Sequence, residues 1–330
     1  MTSVVVEPAC GSTAWVERYG LSAVDTCRLA QLHAADRDGR VFSLEGDLGD
    51  FGGLRFAERY PGRFLDMGIA EASLIGAAAG LALRGKVAFV NTFGSFALMR
   101  ACEQVRLDVA YHRTNVKIAG TFTGVAAGFS GPTHHCGEDL AVARSLPGMT
   151  VLAPADAVSA YQLTLAAAQL DGPVYLRLGV EATPQVYDEN ATFEIGRGNV
   201  LAEGADVTLV AAGLTTVATV LEAARQLAAR GVHATVIDLH TIKPVDEELL
   251  VRSAKATGLV VTVEEHSTIG GLGGAVADVL AGSCPVPMRM LGLPDAFAHD
   301  VGSYADQLAR CGLDVPGVRA AVESALRRWK

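Results

Sequence analysis

The run Asp66-Met67-Gly68-Ile69-Ala70-Glu71-Ala72-Ser73-Leu74-Ile75-Gly76 puts one carboxylate, Glu71, at the head of a segment that reads as a long Ala/Leu/Gly helix, apolar nearly all round. An isolated acid in such surroundings is costly without a partner. Glu71 therefore either stabilises the helix N-terminus through the dipole, or has its protonation tuned by apolar walls so that it can hold a proton for a ligand nitrogen. Asn91-Thr92-Phe93-Gly94-Ser95-Phe96 follows a strand and opens another helix. Phe93 and Phe96 lie on one face if the turn begins at Phe93, which makes them core aromatics or a flat surface for stacking a heteroaromatic ring. Gly131-Pro132-Thr133-His134-His135-Cys136-Gly137-Glu138-Asp139 is the most polar loop of this half of the chain. Adjacent side chains seldom chelate one metal, so His134 and His135 are a weak zinc signal; they donate hydrogen bonds to a ligand oxygen or cap the following helix.

Other motifs are negative. The chain has no G-x-x-x-x-G-K-[ST], no complete G-x-G-x-x-G, no G-x-S-x-G and no H-E-x-x-H, which lowers the weight of nucleotide hydrolysis, serine hydrolysis and zinc proteolysis. Gly270-Gly271-Leu272-Gly273-Gly274 lacks the last glycine and any nearby Lys of a phosphate cradle and reads as a tight strand-to-helix turn.

The elements that must position these residues alternate. Short β-branched runs at 41–44, 87–90, 116–118, 150–152 and 174–178 are separated by Ala/Leu-rich helical segments. The rhythm returns with strands at 207–211, 234–239 and 259–263 and an amphipathic helix at 216–229 ending at Gly231. This predicts the α/β class: two α/β domains, each with a largely parallel sheet flanked by helices. The polar, Pro-containing stretch 182–196 reads as the linker, giving domains of 1–190 and 191–330. At 330 residues, 50% hydrophobic and 19% charged, the chain is long and apolar enough for two cores. A net charge of -9 without any Lys/Arg-rich run argues against nucleic acid or an anionic membrane as partner. Six scattered cysteines without a C-x-x-C pair, and no leader-like or membrane-spanning run, point to a reduced, cytoplasmic protein.

Taken in order, these stretches resemble the transketolase family, particularly the separately encoded C-terminal subunits of split transketolases. The resemblance is carried by Gly46-Asp47-Leu48, Gly68-Ile69-Ala70-Glu71, Thr92-Phe93-Gly94-Ser95-Phe96, Gly131-Pro132-Thr133-His134-His135 with Glu138-Asp139, and Asp171-Gly172-Pro173-Val174-Tyr175-Leu176-Arg177. Further on, His240-Thr241-Ile242-Lys243-Pro244 and Glu264-Glu265-His266 before Gly270-Gly271-Leu272-Gly273 continue it. It implies a pyrimidine-binding domain followed by a transketolase C-terminal domain, with thiamine diphosphate and Mg²⁺ as cofactors. Glu71 would hydrogen-bond the aminopyrimidine ring nitrogen, Phe96 with Phe93 beside it would stack the pyrimidine, and Met99 would stand where an aromatic often lines that pocket. Asp47 and Leu48 would lie near the thiazolium. His134 would hold substrate hydroxyls by the reacting carbon, supported by His135. The family's Gly-Asp-Gly…Asn pattern for diphosphate and Mg²⁺ does not occur here. The resemblance thus implies an N-terminal partner subunit that holds the metal, in an α2β2 assembly that transfers a two-carbon unit from a ketol donor to an aldehyde acceptor.

Two departures bear on the substrate. Ser130 replaces the acid that binds an α-hydroxyl in sugar-using members, and Val180, followed by Glu181, stands where relatives place a phosphate-binding Arg. Arg177 is the candidate to compensate as a substrate ligand. Together these point to a specialised enzyme with an unusual acceptor, in secondary metabolism. The rival readings are the β chain of a 2-oxo acid dehydrogenase, which the Gly-Pro-Thr-His-His loop disfavours, and a non-catalytic regulatory subunit, which Glu71, Phe96 and His134 disfavour.

Overall fold

The computed structural model describes residues 22–49, 56–179, 183–188, 190–298 and 300–330; Val180, Glu181 and Cys10 lie outside them, as does part of the 182–196 linker. The strands are β1 Val41–Glu45, β2 Phe64–Asp66, β3 Val87–Phe93, β4 Val116–Thr121, β5 Thr150–Leu152 and β6 Val174–Arg177, then β7 Asn199–Ala202, β8 Val207–Ala212, β9 Ala234–Asp238, β10 Thr241–Lys243, β11 Val260–Ser267 and β12 Met288–Leu293. They form a seven-stranded sheet in the order β10-β5-β6-β4-β3-β1-β2 and a five-stranded sheet in the order β12-β11-β8-β9-β7. Every pairing is parallel except β10 with β5 and β7 with β9. Parallel strands are covered by helices on both faces, which is why β4 and β8 are buried along their whole length.

The expected helix at 216–229 runs Thr216–Ala228, and Gly231 follows it at φ 82°. Two differences matter for the site. β3 extends to Phe93 instead of stopping at Val90, because its pairing with β4 continues to Phe93 opposite Thr121. The polar Asn91 fits there because its buried amide bonds Gln31 and Ser43 at 2.8 and 3.1 Å. Phe93 therefore closes a strand, helical backbone begins directly after it at Gly94, and a π-helical turn follows from Phe96. The second difference is β10, three residues from the second half of the chain that complete the edge of the first sheet.

The turn at Gly270–Gly271 cradles a carboxylate of the chain itself. Glu264, buried on β11, accepts from the amides of Leu272 and Gly273 at 2.6 and 2.8 Å and so caps the helix Leu272–Ser283. A Cβ on Gly271 would collide with that carboxylate, so only glycine fits. Burial raises the Glu264 pKa to about 7. A folded pKa above the ordinary value of 4.5 means that its contribution to stability is fully present below about pH 4.5 and is lost as pH rises to about 7. Comparing wild type with Glu264→Gln by denaturant unfolding from pH 5 to 7.5 reads this group together with its coupling to His266, 3.6 Å away, since groups remote from both cancel. Wild type should lose ground to the variant by on the order of 3 kcal/mol over the full titration; a difference independent of pH would contradict it. Among the described residues, no helix is long and apolar enough to cross a membrane.

Candidate functional site

The first sheet changes winding direction at β1. Its neighbour on one side is β2 and on the other β3, and in open α/β sheets ligands bind beyond the carboxyl ends of the strands at such a reversal. The predicted residues gather there. Asp47 and Leu48 follow β1, Glu71 follows β2 at the first position of the helix Glu71–Leu83, Phe93 ends β3 and Phe96 follows it, and the loop with Ser130, His134 and His135 follows β4.

Glu71 is only 2% exposed, and its partner is one that the sequence reading misses. Arg100 donates to Glu71 Oε2 at 2.7 Å while its guanidinium carbon lies 4.2 Å from the centre of the Phe96 ring. Phe96–Arg100 forms a π-helical turn, closed by the Ala101 amide on the Phe96 carbonyl at 3.2 Å. Such turns shift side chains off the regular helical pattern and recur at functional sites. The i to i+4 spacing of Phe96 and Arg100 is the available signal.

The Phe93 and Phe96 rings meet edge to face, with centroids 5.5 Å apart, and the His134 ring lies 5.8 and 5.4 Å from them. Phe122, also unforeseen, packs edge-on against Phe93 at 4.6 Å with φ at 54°, a backbone conformation rare for a bulky residue. His134 Nδ1 bonds the Thr133 hydroxyl at 2.9 Å, which fixes one ring nitrogen. His135 Nε2 is buried without a partner; burial and the neighbouring His134 lower its pKa, favouring the neutral ring. Met99 is 41% exposed. Asp47 is exposed at φ 61°, its amide donating to Asp66 at 3.3 Å.

Arg177 is not brought to this cluster. Its Nε donates to Asp139 Oδ2 at 2.8 Å and its Nη2 to the Glu265 carbonyl at 2.8 Å, with all three residues buried between the two sheets. Desolvation opposes its charge, yet Asp139 and Glu265 hold its pKa above the ordinary value. Arg177 as a substrate ligand is the expectation; in the structure its Nε and Nη2 are engaged by acceptors of the chain itself. Asp139 also accepts from Tyr175 Oη at 2.8 Å.

Comparison with known proteins identifies the frame. Residues 21–185 match the transketolase pyrimidine-binding domain and residues 196–318 the transketolase C-terminal domain. The 6-deoxy-6-sulfo-D-fructose transketolase subunit of Clostridium sp. (strain MSTE9) is 44% identical over 302 residues, covering 90% of this chain and 92% of that protein. An apulose-4-phosphate transketolase subunit from Phocaeicola vulgatus is 43% identical over 266 residues, 80% of this chain and 84% of that one. A solved structure described as a split gene transketolase, inactive β4 tetramer, superposes with a TM-score of 0.85 at 43% identity, over 94% of this chain and 100% of its own. The chain belongs to the transketolase family. Its likeness to separately encoded subunits along most of their length makes it the C-terminal subunit of a two-component transferase of that family, whose cofactor is thiamine diphosphate.

The residues present fit one half of that cofactor. A buried carboxylate linked through Arg100 to a pair of aromatic rings suits a flat aminopyrimidine, which needs a stacking surface and an acceptor for its ring nitrogen. Among the described residues, no group of three or more His, Cys, Asp or Glu could hold a metal ion.

Proposed function

We propose that this chain supplies the pyrimidine half of a thiamine-diphosphate site and that an N-terminal partner subunit supplies the diphosphate and Mg²⁺ half. The observation that carries the reading is Glu71, a carboxylate 2% exposed at the reversal point of the sheet and linked through Arg100 to the Phe96 ring. Glu71 holds a proton at the pyrimidine ring nitrogen, Phe96 and Phe93 orient the ring, and Met99 closes the rim. Asp47 and Leu48 border the thiazolium end. When bound, the cofactor supplies the nucleophilic carbon that cleaves a ketol donor and delivers its two-carbon unit to an aldehyde acceptor. His134 and His135 hydrogen-bond the acceptor and donor hydroxyls, and the Phe93, Phe96 and Phe122 wall excludes water. The description of the related β4 tetramer as inactive supports dependence on a partner, and its four-chain assembly supports the reading of an α2β2 tetramer here.

We also read the enzyme as specialised. Ser130 stands at the position where an acid is expected, Arg177 is held elsewhere, and relatives of nearly equal identity bear the names of different sugars. Pentose-phosphate turnover on the order of 10 per second by the assembled enzyme would refute this part. The domain boundary is placed at residue 190, supported by the interval between the end of β6 at Arg177 and the start of β7 at Asn199. A cytoplasmic setting is supported by Cys27, Cys102, Cys136, Cys284 and Cys311, all free thiols.

Titrating thiamine diphosphate with Mg²⁺ calorimetrically into the chain alone, and then into the chain mixed with its N-terminal partner, tests the division of the site. Binding is expected only in the mixture. Tight binding by the isolated chain would overturn it.

A further inference from the structure

The loop that carries Ser130, His134 and His135 is closed at its base by a two-residue bridge. The Gly124 amide donates to the Cys136 carbonyl and the Cys136 amide to the Gly124 carbonyl, both at 2.8 Å. The base is then gripped from the second domain. Glu265 on β11, 4% exposed, reaches across the domain junction and accepts from the Val125 amide through Oε1 at 2.7 Å. Its Oε2 accepts from the Tyr304 hydroxyl, which belongs to the helix Tyr304–Arg310 of the same domain. The Glu265 carbonyl takes the Arg177 guanidinium, whose Nη2 also lies 3.4 Å from the Cys136 carbonyl at the other end of the loop base. Gly124 makes room for this contact: at φ 64°, a Cβ there would collide with Glu265 Oε1. Further out, the Gly302 amide donates to the Gly128 carbonyl at 3.2 Å.

We propose that Glu265 is a positioning residue, through which the C-terminal domain fixes the loop that presents His134 to the reacting centre. The inference rests on the reading of His134 given above and adds a task for the second domain. Two donors from different elements, an amide and a phenol, must be satisfied at one buried point, and a carboxylate has an acceptor oxygen for each. An alanine leaves the Val125 amide unpaired inside the protein. The loop base is then free to move, and a displacement of about 1 Å at a reacting group can cost on the order of 10²-fold in rate. A glutamine still accepts from Val125 and can donate to the Tyr304 oxygen, so it should serve almost as well.

The test uses Glu265→Ala and Glu265→Gln in the complex with the N-terminal partner, together with amide hydrogen exchange on the chain itself. With Glu265→Ala, kcat should fall by on the order of 10²-fold while KM for the ketol donor changes much less. Exchange should quicken in 126–136 but not in β3, and Glu265→Gln should stay within about threefold of wild type in kcat. Full turnover by Glu265→Ala would overturn the proposal, and so would faster exchange spread evenly over both domains, the mark of a merely structural role. If Glu265→Ala fails to fold, Gly124→Ala drives a methyl at the same carboxylate from the loop side, and the same two readouts decide. A wild-type complex without ketol transfer would refute the functional reading instead, while the exchange comparison would still test the grip.

Discussion

Replacing Glu71 with Gln is expected to lower turnover of the assembled enzyme by about 10²–10⁴-fold, the range over which a positioned acid-base group acts. The side chains are nearly isosteric, but the amide cannot share a proton with a pyrimidine nitrogen as the carboxyl group can. The fold should survive the change. Arg100, left without its anionic partner, has a side chain 49% exposed and can return to water, so unfolding of the isolated chain should shift little. Steady-state kinetics beside thermal unfolding separates the outcomes. Near-normal turnover would remove Glu71 from the chemistry and leave it as a helix-terminal acid paired with Arg100.

The second large effect concerns stability. Arg177→Met should destabilise the chain by about 3–5 kcal/mol, because it leaves the Asp139 carboxylate, 0% exposed, with the Tyr175 hydroxyl but no cation. Arg177→Lys restores charge but cannot reach both Asp139 and the Glu265 carbonyl with a rigid fork, so it should recover only part of the loss. Combining Arg177→Met with Asp139→Leu should recover more than either change alone, since both charges are then gone. Chemical denaturation of the four variants reads this directly. A stability loss under about 1 kcal/mol with a large rise in KM for a phosphorylated acceptor would return Arg177 to the substrate, where the sequence alone places it.

What the sequence discloses and what it hides follow from range. The strands and the helix at 216–228 are local facts of alternation and periodicity, and each can be read within a dozen residues. Glu71, Phe96, His134 and Asp47 each stand out in a local run of the sequence, and each follows a strand of the first sheet at its carboxyl end. Phe93 falls in a different element from the one its sequence suggests, because a buried Asn normally argues against a strand, and only Gln31 and Ser43, distant in sequence, make it welcome. Arg100 is marked only by its i to i+4 spacing from Phe96, and its pairing with Glu71, 29 residues away along the chain, is not a local signal. The fate of Arg177 cannot be read locally at all: its partners lie 38 and 88 residues away along the chain. The Val180 departure lies outside the described residues, so its bearing on phosphate recognition rests on the sequence alone.

The three residues of β10 have a consequence for modularity. They are borrowed from the second half of the chain to finish the first sheet, so a scission near residue 190 would not release two self-sufficient pieces. The first piece would carry β5 with an unpaired edge, the kind of template on which chains add to one another. Chimeras that graft a foreign C-terminal domain onto this pyrimidine-binding domain should therefore stay monodisperse only when the graft brings a matching strand in register with Val151 and Leu152.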